Sequence, residues 1–311
     1  MKIITLTLNP AFDVHCQADG FTPYHESIVE IVGREAGGKG VNISRALTSL
    51  GRENLAVVIV GKENADEFCG MLERDSLSVR AIACEGRIRE NITLHETKNP
   101  ETRISFGGFS IDSDTLDELK QIVSACDSDT VITLTGSNPK GVSSGEVLDI
   151  LALAKAKGAK IVIDSRSVTL AEILSFKPWL IKPNQDEIGA YVGKKIETVE
   201  DAAQIARDLF SRGIENVMIS LGGQGAVLAT STGTFYAKAP EVEVLSTVGA
   251  GDSSIAGFID AFANGDSYDR CLARAVAFGS AACMGEGTRP PRAEDVKSIA
   301  ERIVLSPMSA N

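Results

Sequence analysis

The chain alternates short runs of aliphatic residues with amphipathic segments over most of its length. The runs at 3–8 and 55–60 consist largely of β-branched and aliphatic side chains, a composition typical of buried strands. From residue 114 onward, segments with apolar residues at helical spacing alternate regularly with such runs. This alternation predicts an α/β protein in which helices flank a mostly parallel central sheet.

The bounds of the predicted elements follow from the same periodicities. Helices are predicted at 41–50, 114–125, 144–157, 185–192, 198–212 and around 255–262. Strands are predicted at 3–8, 55–60, 79–84, 88–96, 102–109, 130–134, 160–164, 179–181, 216–220, 225–229, 234–237 and 242–245. Glycines directly after two of the helices, Gly51 and Gly158, support those helix ends.

Two separated segments, 12–34 and 86–110, carry strand patterns and few helical signals. We expect them to form a small β-sheet lid on a single domain spanning 1–311. Ligands of parallel α/β sheets bind outside the carboxyl ends of the strands, so a sheet placed there would cover a bound ligand. Such a lid must also shield an apolar face, and pairing with a second lid in a homodimer is one way to do so.

Composition excludes several classes of protein. The formal net charge of −11 argues against nucleic acid or an anionic membrane as the main partner. No apolar stretch approaches the ~18 residues of a membrane span, and the first residues lack the anatomy of a signal peptide. The six cysteines are scattered without a C-x-x-C pair, which favours free thiols in a cytoplasmic protein. The three histidines show no metal-ligand spacing.

The stretch Ser-Thr-Val-Gly-Ala-Gly-Asp-Ser at 246–253 carries the clearest chemistry. It lies between the predicted strand 242–245 and a helix, where unpaired N–H groups favour an anion. Gly249 and Gly251 allow close approach of a ligand, and Asp252 places a carboxylate beside that anion site. This predicts phosphoryl transfer to a hydroxyl, with a simple junction capped by Asp252 as the alternative. The stretch is neither a P-loop nor a dinucleotide fingerprint.

A second glycine cluster, Ala-Gly-Gly-Lys-Gly at 36–40, precedes the first helix. Glycines and Lys39 at a helix start make an anion cradle, and Asn42 just inside the helix could bind a sugar hydroxyl. The alternative is a loop with a solvated lysine. Asp13 follows the first strand at its carboxyl edge, where it could accept hydrogen bonds from two neighbouring hydroxyls or serve as a turn residue.

Three further patterns point to phosphate, metal and nucleotide. Arg89 and Asn91 share one face of a predicted strand and Arg103 lies on the next, which suits phosphate recognition or a solvated strand edge. Asn184 and Glu187 lie on one side of a first helical turn, where they could hold Mg²⁺ through its waters or form a helix cap. The glycine turn at 222–225 could border a nucleotide or close a hairpin.

In their order and spacing these motifs resemble the ribokinase-like superfamily of sugar kinases, the PfkB family. The resemblance is strongest to its hexose-phosphate branch of 1-phosphofructokinases and tagatose-6-phosphate kinases, and it extends from about residue 3 to 289. The stretches that carry it are 7–13, 36–42, 89–91, 135–141, 180–187, 220–226 and 246–253. It implies a ribokinase-like fold and an ATP-binding, nucleotide-binding transferase of carbohydrate metabolism.

The resemblance also implies roles for single residues. Asp252 would accept the proton of the substrate hydroxyl, and the N–H groups of Gly249, Ala250 and Gly251 would stabilise the transferring phosphoryl group. The helix dipole is expected to keep Asp252 ionised. The implied substrate-binding residues are Asp13, Gly38, Lys39, Asn42, Arg89, Asn91, Arg103 and Ser137, with Lys39, Arg89 and Ser137 on the phosphate of the sugar. The implied ATP and Mg²⁺ residues are Lys182, Asn184, Glu187, Ser220, Gly222 and Gly225.

The sequence therefore predicts an ATP-dependent, Mg²⁺-requiring ketohexose-phosphate kinase. Fructose 1-phosphate is the favoured substrate, and tagatose 6-phosphate or fructose 6-phosphate is the alternative. A non-catalytic sugar-phosphate sensor on the same fold is the rival from another class. Departures from the branch pattern bear on the choice of sugar, and they are Ser105, Gly107, Phe109, Asn138, Arg166-Ser167 and Arg289-Pro290.

Overall fold

The computed structural model describes residues 1–22, 24–96, 101–285 and 287–309. Within them the strands are β1 (Lys2–Thr7), β2 (Ala11–Ala18), β3 (Glu30–Gly37), β4 (Leu55–Gly61), β5 (Val79–Cys84), β6 (Arg89–Glu96), β7 (Thr102–Ser105), β8 (Thr130–Thr135), β9 (Lys160–Asp164), β10 (Leu180–Ile181), β11 (Asn216–Ser220), β12 (Ala226–Thr230), β13 (Gly233–Lys238) and β14 (Val304–Pro307). The helices are α1 (Lys39–Thr48), α2 (Ala65–Arg74), α3 (Ser113–Ser124), α4 (Ser144–Lys155), α5 (Leu170–Phe176), α6 (Gln185–Val192), α7 (Val199–Ser211), α8 (Ala250–Ala263), α9 (Tyr268–Ala282) and α10 (Ala293–Ala300).

The central sheet has the strand order β14-β13-β12-β11-β10-β9-β8-β1-β4-β5. Strands from β11 through β5 pair in parallel, and β12, β13 and β14 add an antiparallel edge. The ribokinase-like α/β class predicted from the sequence is confirmed. Because all the parallel strands end at one edge, the residues that follow β1, β8, β9 and β10 meet there.

Helices pack on both faces of this sheet. On one face, α1, α8, α9 and α10 bury aliphatic and aromatic side chains such as Leu47, Phe258 and Phe278. On the other face, α3 through α7 pack residues such as Leu151 and Leu209 against the strands. Burial on both faces explains why the strand sequences are almost uniformly apolar rather than alternating. No helix in the described ranges is both long and apolar enough to cross a membrane.

A second sheet with the order β3-β2-β6-β7, here called the lid sheet, lies over the carboxyl edge of β1. Its strands come from both segments predicted for the lid, 12–34 and 86–110. The predicted strand 102–109 ends earlier, at Ser105. Residues 23 and 97–100 of those two segments lie outside the described residues.

The predicted strand at 242–245 is wrong. This stretch is extended but pairs with no strand in the described structure, and the N–H of Leu245 donates instead to the carbonyl of Cys283 (2.8 Å). Val244 and Leu245 are both 57% exposed. β-branched residues favour a strand only where a neighbouring strand and a packed face are available, and here the chain passes over the helix layer instead.

Four helices, α2, α5, α9 and α10, were not predicted from the sequence, and neither was the edge strand β14. α2 buries only Phe68 and Leu72, so its apolar stripe is narrow. α5 is seven residues long and begins with a capping box in which Thr169 and Glu172 satisfy each other's backbone N–H groups. Short helices of this kind depend on packing against the sheet more than on a visible period.

Candidate active site

The first turn of α8 forms an anion-binding position beside a buried carboxylate. Gly249 caps the helix with a φ of +77°, a left-handed conformation that favours glycine. The first α-helical bond runs from the N–H of Ser253 to the carbonyl of Gly249 (2.8 Å), while the N–H of Ala250 makes a 3.4 Å bond to Thr247. The N–H groups of the first turn thus precede the helical ladder and face the ligand side.

Asp252 lies in that first turn and is only 5% exposed. The side-chain amide of Asn42 donates a hydrogen bond to its Oδ2 (2.9 Å), which connects α1 to α8. The two glycine motifs recognised in the sequence therefore meet, and both helix starts face one point at the sheet edge. Asp252 is not the helix cap, since Gly249 holds that position.

Two lysines flank a second buried carboxylate, Asp164, at the end of β9. Lys39 Nζ donates to Asp164 Oδ2 (2.8 Å), and Lys182 Nζ lies 3.9 Å from Oδ1. The Lys182 ammonium also lies 3.1 Å from the position that a side chain on Gly251 would occupy, so it sits directly beneath the anion-binding turn. Sequence reasoning missed Asp164. The sequence pattern that could have identified Asp164 is the one that identified Asp13, namely a carboxylate at the carboxyl end of an apolar strand.

Burial sets the protonation of this cluster. Desolvation raises the pKa of Asp252 to about 6, although Lys39 and the hydrogen bond from Asn42 oppose the shift. The pKa lies above the ordinary value of an aspartate because the cost of burying the charge is larger than the opposing effects, and at neutral pH the carboxyl is still mostly ionised, as expected. For Asp164 burial also favours the neutral acid, but Lys182 and Lys39 together hold its pKa below the usual value.

This raised pKa predicts a pH dependence. A carboxylate that accepts a proton must be ionised, so kcat/KM should fall about tenfold per pH unit below an apparent pKa of about 6. The measurement is kcat/KM from pH 5 to 8, with protein preincubated at each pH and assayed at pH 7.5 to exclude unfolding. A profile that stays flat down to pH 5 would contradict the role assigned to Asp252.

Asp13 and Asn91 face each other on the lid sheet. Asn91 donates from its side-chain amide to Asp13 Oδ1 (3.0 Å), and a side chain on Gly37 would overlap the Asp13 carboxyl group. Burial raises the pKa of Asp13, an effect that the hydrogen bond from Asn91 opposes. Gly38 caps α1 with a φ of +131°, and Gly40 lies so close to β1 that its Cβ would be 2.6 Å from the carbonyl of Leu6.

Arg89 and Ser137 come together around Asn9, a residue that sequence reasoning missed. The guanidinium of Arg89 donates to the carbonyls of Phe106 (2.9 Å) and Asn9 (3.3 Å). The amide of Asn9 donates in turn to Ser137 Oγ (3.0 Å). Arg89 has no carboxylate partner among the described residues, so its charge is available to an anion.

Two of the residues expected with this phosphate group lie elsewhere. Lys39 is held by Asp164, as described above. Arg103 pairs across the lid sheet with Thr93, four strand positions from Arg89, and its guanidinium contacts Glu101 (3.0 Å). Local alternation placed both arginines on one face, but it could not show how far apart their charged ends lie.

Asn184 and Glu187 form the reciprocal cap of α6. The N–H of Glu187 donates to Asn184 Oδ1 (2.8 Å), and the N–H of Asn184 donates to Glu187 Oε2 (3.1 Å). The other carboxylate oxygen of Glu187 accepts from Arg166 Nε (2.9 Å). Ser220 makes a β-bridge with Asn184, which brings the end of β11 beside this cap.

The donor set fits a magnesium ion that keeps most of its water. The Glu187 carboxylate is 18% exposed. Its negative charge helps to raise the pKa of Lys39, so Glu187 lies close to the group formed by Lys39, Asp164 and Asp252. No group of three or more candidate metal ligands occurs among the described residues. Magnesium needs only one or two carboxylates when substrate phosphates supply further oxygens.

The turn after β11 is a short 3₁₀ helix, Gly222–Gln224, whose three residues are exposed. Gly225 closes it with a φ of +104°, and any side chain there would overlap the carbonyl of Ala237. Gly225 therefore allows β12 and β13 to pair closely, and Gly222 lies on the open side of the turn.

Fold and site together define a phosphoryl-transfer enzyme. The carboxyl edge of its parallel sheet carries an anion-binding helix start, the buried carboxylate of Asp252, and a second buried carboxylate, Asp164, that is flanked by two lysines. A family model described as pfkB family carbohydrate kinase matches residues 11–295. The chain belongs to that family and is a carbohydrate kinase, and its relatives support ATP-dependent phosphorylation of a sugar phosphate.

The chain is similar to named proteins over nearly its full length. It is 31% identical to a 1-phosphofructokinase of Escherichia coli over 99% of both chains. It is 28% identical to the ATP-dependent 6-phosphofructokinase isozyme 2 of Escherichia coli, over 96% of this chain and 98% of that protein. The crystal structure of phosphofructokinase-2 from Escherichia coli in complex with substrates and products superposes with a TM-score of 0.91, at 27% identity over 97% and 99% of the two chains.

Proposed function

We propose that this protein phosphorylates fructose 1-phosphate to fructose 1,6-bisphosphate with ATP. The observation that carries the kinase chemistry is the buried Asp252 in the first turn of α8, beside the N–H groups at the start of that helix. The choice of a phosphorylated sugar is supported by the unpaired guanidinium of Arg89 beside Ser137. The similarity to a 1-phosphofructokinase supports fructose 1-phosphate as the sugar.

In the proposed reaction the sugar lies between the lid sheet and α1. Asp13 accepts hydrogen bonds from its hydroxyls, and Gly38 and Asn42 contact it from the start of α1. The free hydroxyl attacks the γ-phosphorus of ATP as Asp252 takes its proton, so one oxygen–phosphorus bond forms and the bond to ADP breaks. The N–H groups of Gly249, Ala250 and Gly251 stabilise charge on the phosphoryl group, and positioning dominates such a loose transition state.

Magnesium and the nucleotide would bind on the side of α6 and β11. Asn184 and Glu187 would hold Mg²⁺ through water, and a bound Mg²⁺ neutralises charge on the transferring phosphate. Glu187 must give up or share its contact with Arg166 when it faces the metal. Lys182 beneath the helix start, Ser220 and Gly222 would border the ATP phosphates and ribose, whereas Gly225 acts through the hairpin.

Two alternatives use the same machinery. Fructose 6-phosphate is supported by the similarity to a 6-phosphofructokinase. Tagatose 6-phosphate presents the same chemistry to Arg89 and Asp13. A non-catalytic sensor would lack the base or the helix-start glycines, and this chain has both.

A substrate comparison tests the proposal. We expect coupled ADP release with ATP and Mg²⁺ to show a kcat/KM for fructose 1-phosphate at least tenfold above those for fructose 6-phosphate, tagatose 6-phosphate and fructose. A preference for another phosphorylated ketohexose would replace fructose 1-phosphate as the proposed substrate, but the proposed phosphoryl transfer would stand. No turnover, on protein that binds one of these sugars by calorimetry, would favour the sensor.

We also propose a homodimer through the lid sheet. Large apolar side chains are exposed on the outer strands of the lid sheet and in the segments next to them, namely Tyr24, Ile28, Val29, Ile31, Val32, Ile104 and Phe106. Exposed apolar surface marks interaction sites, and a symmetric pair of lids would cover both copies at once. The cytoplasmic location and the absence of nucleic-acid or membrane partners stay predictions.

A further inference from the structure

A cavity of about 530 Å³ opens beside the active site, between α1, α2, the end of β3 and residues 288–290. Arginines from four separate segments line it, namely Arg34, Arg45, Arg74 and Arg289. Its lining contains two carboxylates, those of Glu35 and Asp75. In a chain with a net charge of −11, this is a local concentration of positive charge. None of the residues assigned to sugar, ATP or metal lines the cavity.

Two of the four arginines are neutralised within the protein. Arg34 contacts Glu67 (2.8 Å) and Glu90 (2.9 Å), and it lies over the ring of Phe12. Arg45 is buried and contacts Asp75 (2.7 Å). These contacts hold the side chains of the cavity walls in place, and the ion pair with Arg45 neutralises Asp75.

The other two arginines have no such partner. Neither Arg74 nor Arg289 makes a hydrogen bond or an ion pair with any residue in the described ranges. Arg74 extends along α2 past Gly70, where a side chain would come within 3.8 Å of its Nη1. Glu35, the remaining carboxylate of the lining, accepts a hydrogen bond from Thr288 (2.8 Å). The cavity lining thus contains two arginines, from α2 and from the segment 288–290, with no ion-pair partner among the described residues.

We propose that this cavity is a second anion site that binds a small phosphate ester, with Arg74 and Arg289 as its charge partners. Guanidinium groups bind phosphate through pairs of parallel hydrogen bonds, and two of them match a dianion. The volume suits a ligand of sugar-phosphate size. The lining has no aromatic side chain on which a nucleotide base could stack, so a non-nucleotide ester is favoured.

The site is connected to the catalytic centre at two points. Arg45 Nη1 lies 3.4 Å from Asn42 Oδ1, and the amide of Asn42 donates to Asp252. On the other wall, the Cα of Thr288 lies 3.8 Å from the position that a side chain on Gly249 would occupy. An occupant held by Arg289 would therefore act on both the base and the anion-binding turn, which gives it a route to change the rate.

Calorimetric titration with inorganic phosphate tests the site. Wild type should bind phosphate in the cavity as well as in the active site, where Arg89 and the first turn of α8 offer positions for anions. Arg89→Gln should retain binding in the cavity, whereas the double variant Arg74→Gln/Arg289→Gln should lose it and retain binding in the active site. The exposed Arg270, which has no ion-pair partner in the described part of the chain, supplies the matched control Arg270→Gln, expected to bind as wild type does.

The outcomes separate this proposal from the proposed function. A cavity affinity that falls at least tenfold in the double variant, and persists when fructose 1-phosphate saturates the catalytic site, supports it whatever the sugar kinetics show. Phosphate binding that is unchanged in the double variant overturns it. Displacement of the cavity-bound phosphate by fructose 1-phosphate would also overturn it, because the two arginines would then belong to the substrate site.

Discussion

The Asp252→Asn variant is expected to lose turnover by a factor of about 10³, within the range typical of a removed general base. Asparagine has nearly the same shape and can still accept the hydrogen bond from the Asn42 amide, but it cannot take the hydroxyl proton. Binding of the sugar phosphate should remain within a few-fold of wild type, because Asp13 and Arg89 lie on other elements.

The stability of this variant provides an internal control. Burial raises the pKa of Asp252 to about 6, which means that the folded state disfavours its charged form. A group whose folded pKa exceeds its unfolded pKa destabilises the protein once pH rises above both values. The neutral amide removes this cost, so the melting temperature of Asp252→Asn at pH 7 should not fall below that of wild type. Loss of activity together with early melting would indicate unfolding instead.

A surface carboxylate tests whether the effect is specific. Asp117 is exposed on α3 and makes no ion pair among the described residues, so Asp117→Asn should leave kcat and KM unchanged. For Asp252→Asn we expect turnover to be lost while calorimetry still shows binding of fructose 1-phosphate with nearly wild-type affinity. Turnover that survives within tenfold of wild type would remove Asp252 from the role of base.

The Arg89→Gln variant is expected to lower kcat/KM for the sugar phosphate by roughly 10- to 100-fold. A charge-assisted hydrogen bond contributes about 1.5–3 kcal/mol, and every ~1.4 kcal/mol corresponds to a factor of ten. The loss should appear mainly in KM, since the phosphate that Arg89 holds is remote from the reacting hydroxyl. Turnover of unphosphorylated fructose, however slow, should not change, because that sugar offers Arg89 no anion.

Arg103 is the matched control for this experiment. It lies on the same face of the lid sheet, is half exposed and contacts Glu101, so Arg103→Gln should change kcat/KM by less than about threefold. Equal effects of the two substitutions would mean that the lid closes far enough to bring both arginines to the phosphate. An effect of Arg103 alone would invert the assignment.

Local pattern predicted more of the fold than of the site. The parallel strands, six of the ten described helices and the glycine motifs around residues 36–40 and 246–253 were readable because each depends on residues within one or two turns of chain. The strand at 242–245 failed because its β-branched residues lack a neighbouring strand. Helices α2, α5 and α10 were missed because few of their residues are buried, whereas α9 was missed although nine of its residues are buried.

The grouping of the charged side chains depends on long-range contacts. Lys39 was expected on the sugar phosphate, but it reaches Asp164, 125 residues away. The hydrogen bond between Asn42 and Asp252 spans 210 residues. No period or motif encodes such distances, since they arise only when separate βα units bring their strand ends to one edge of the sheet.

By itself the sequence determined the architecture, the helix starts that can hold an anion, and the identity of the carboxylate beside one of them. The tertiary structure decided which charges neutralise each other and that Arg89, not Arg103, meets Ser137 through Asn9. It left Arg74 and Arg289 with no ion-pair partner in the described part of the chain. It also decided the protonation of Asp252, because a pKa depends on burial and on neighbouring charges in three dimensions. Backbone preferences are local and survive in the sequence, whereas the electrostatics of a site exist only once the chain has folded.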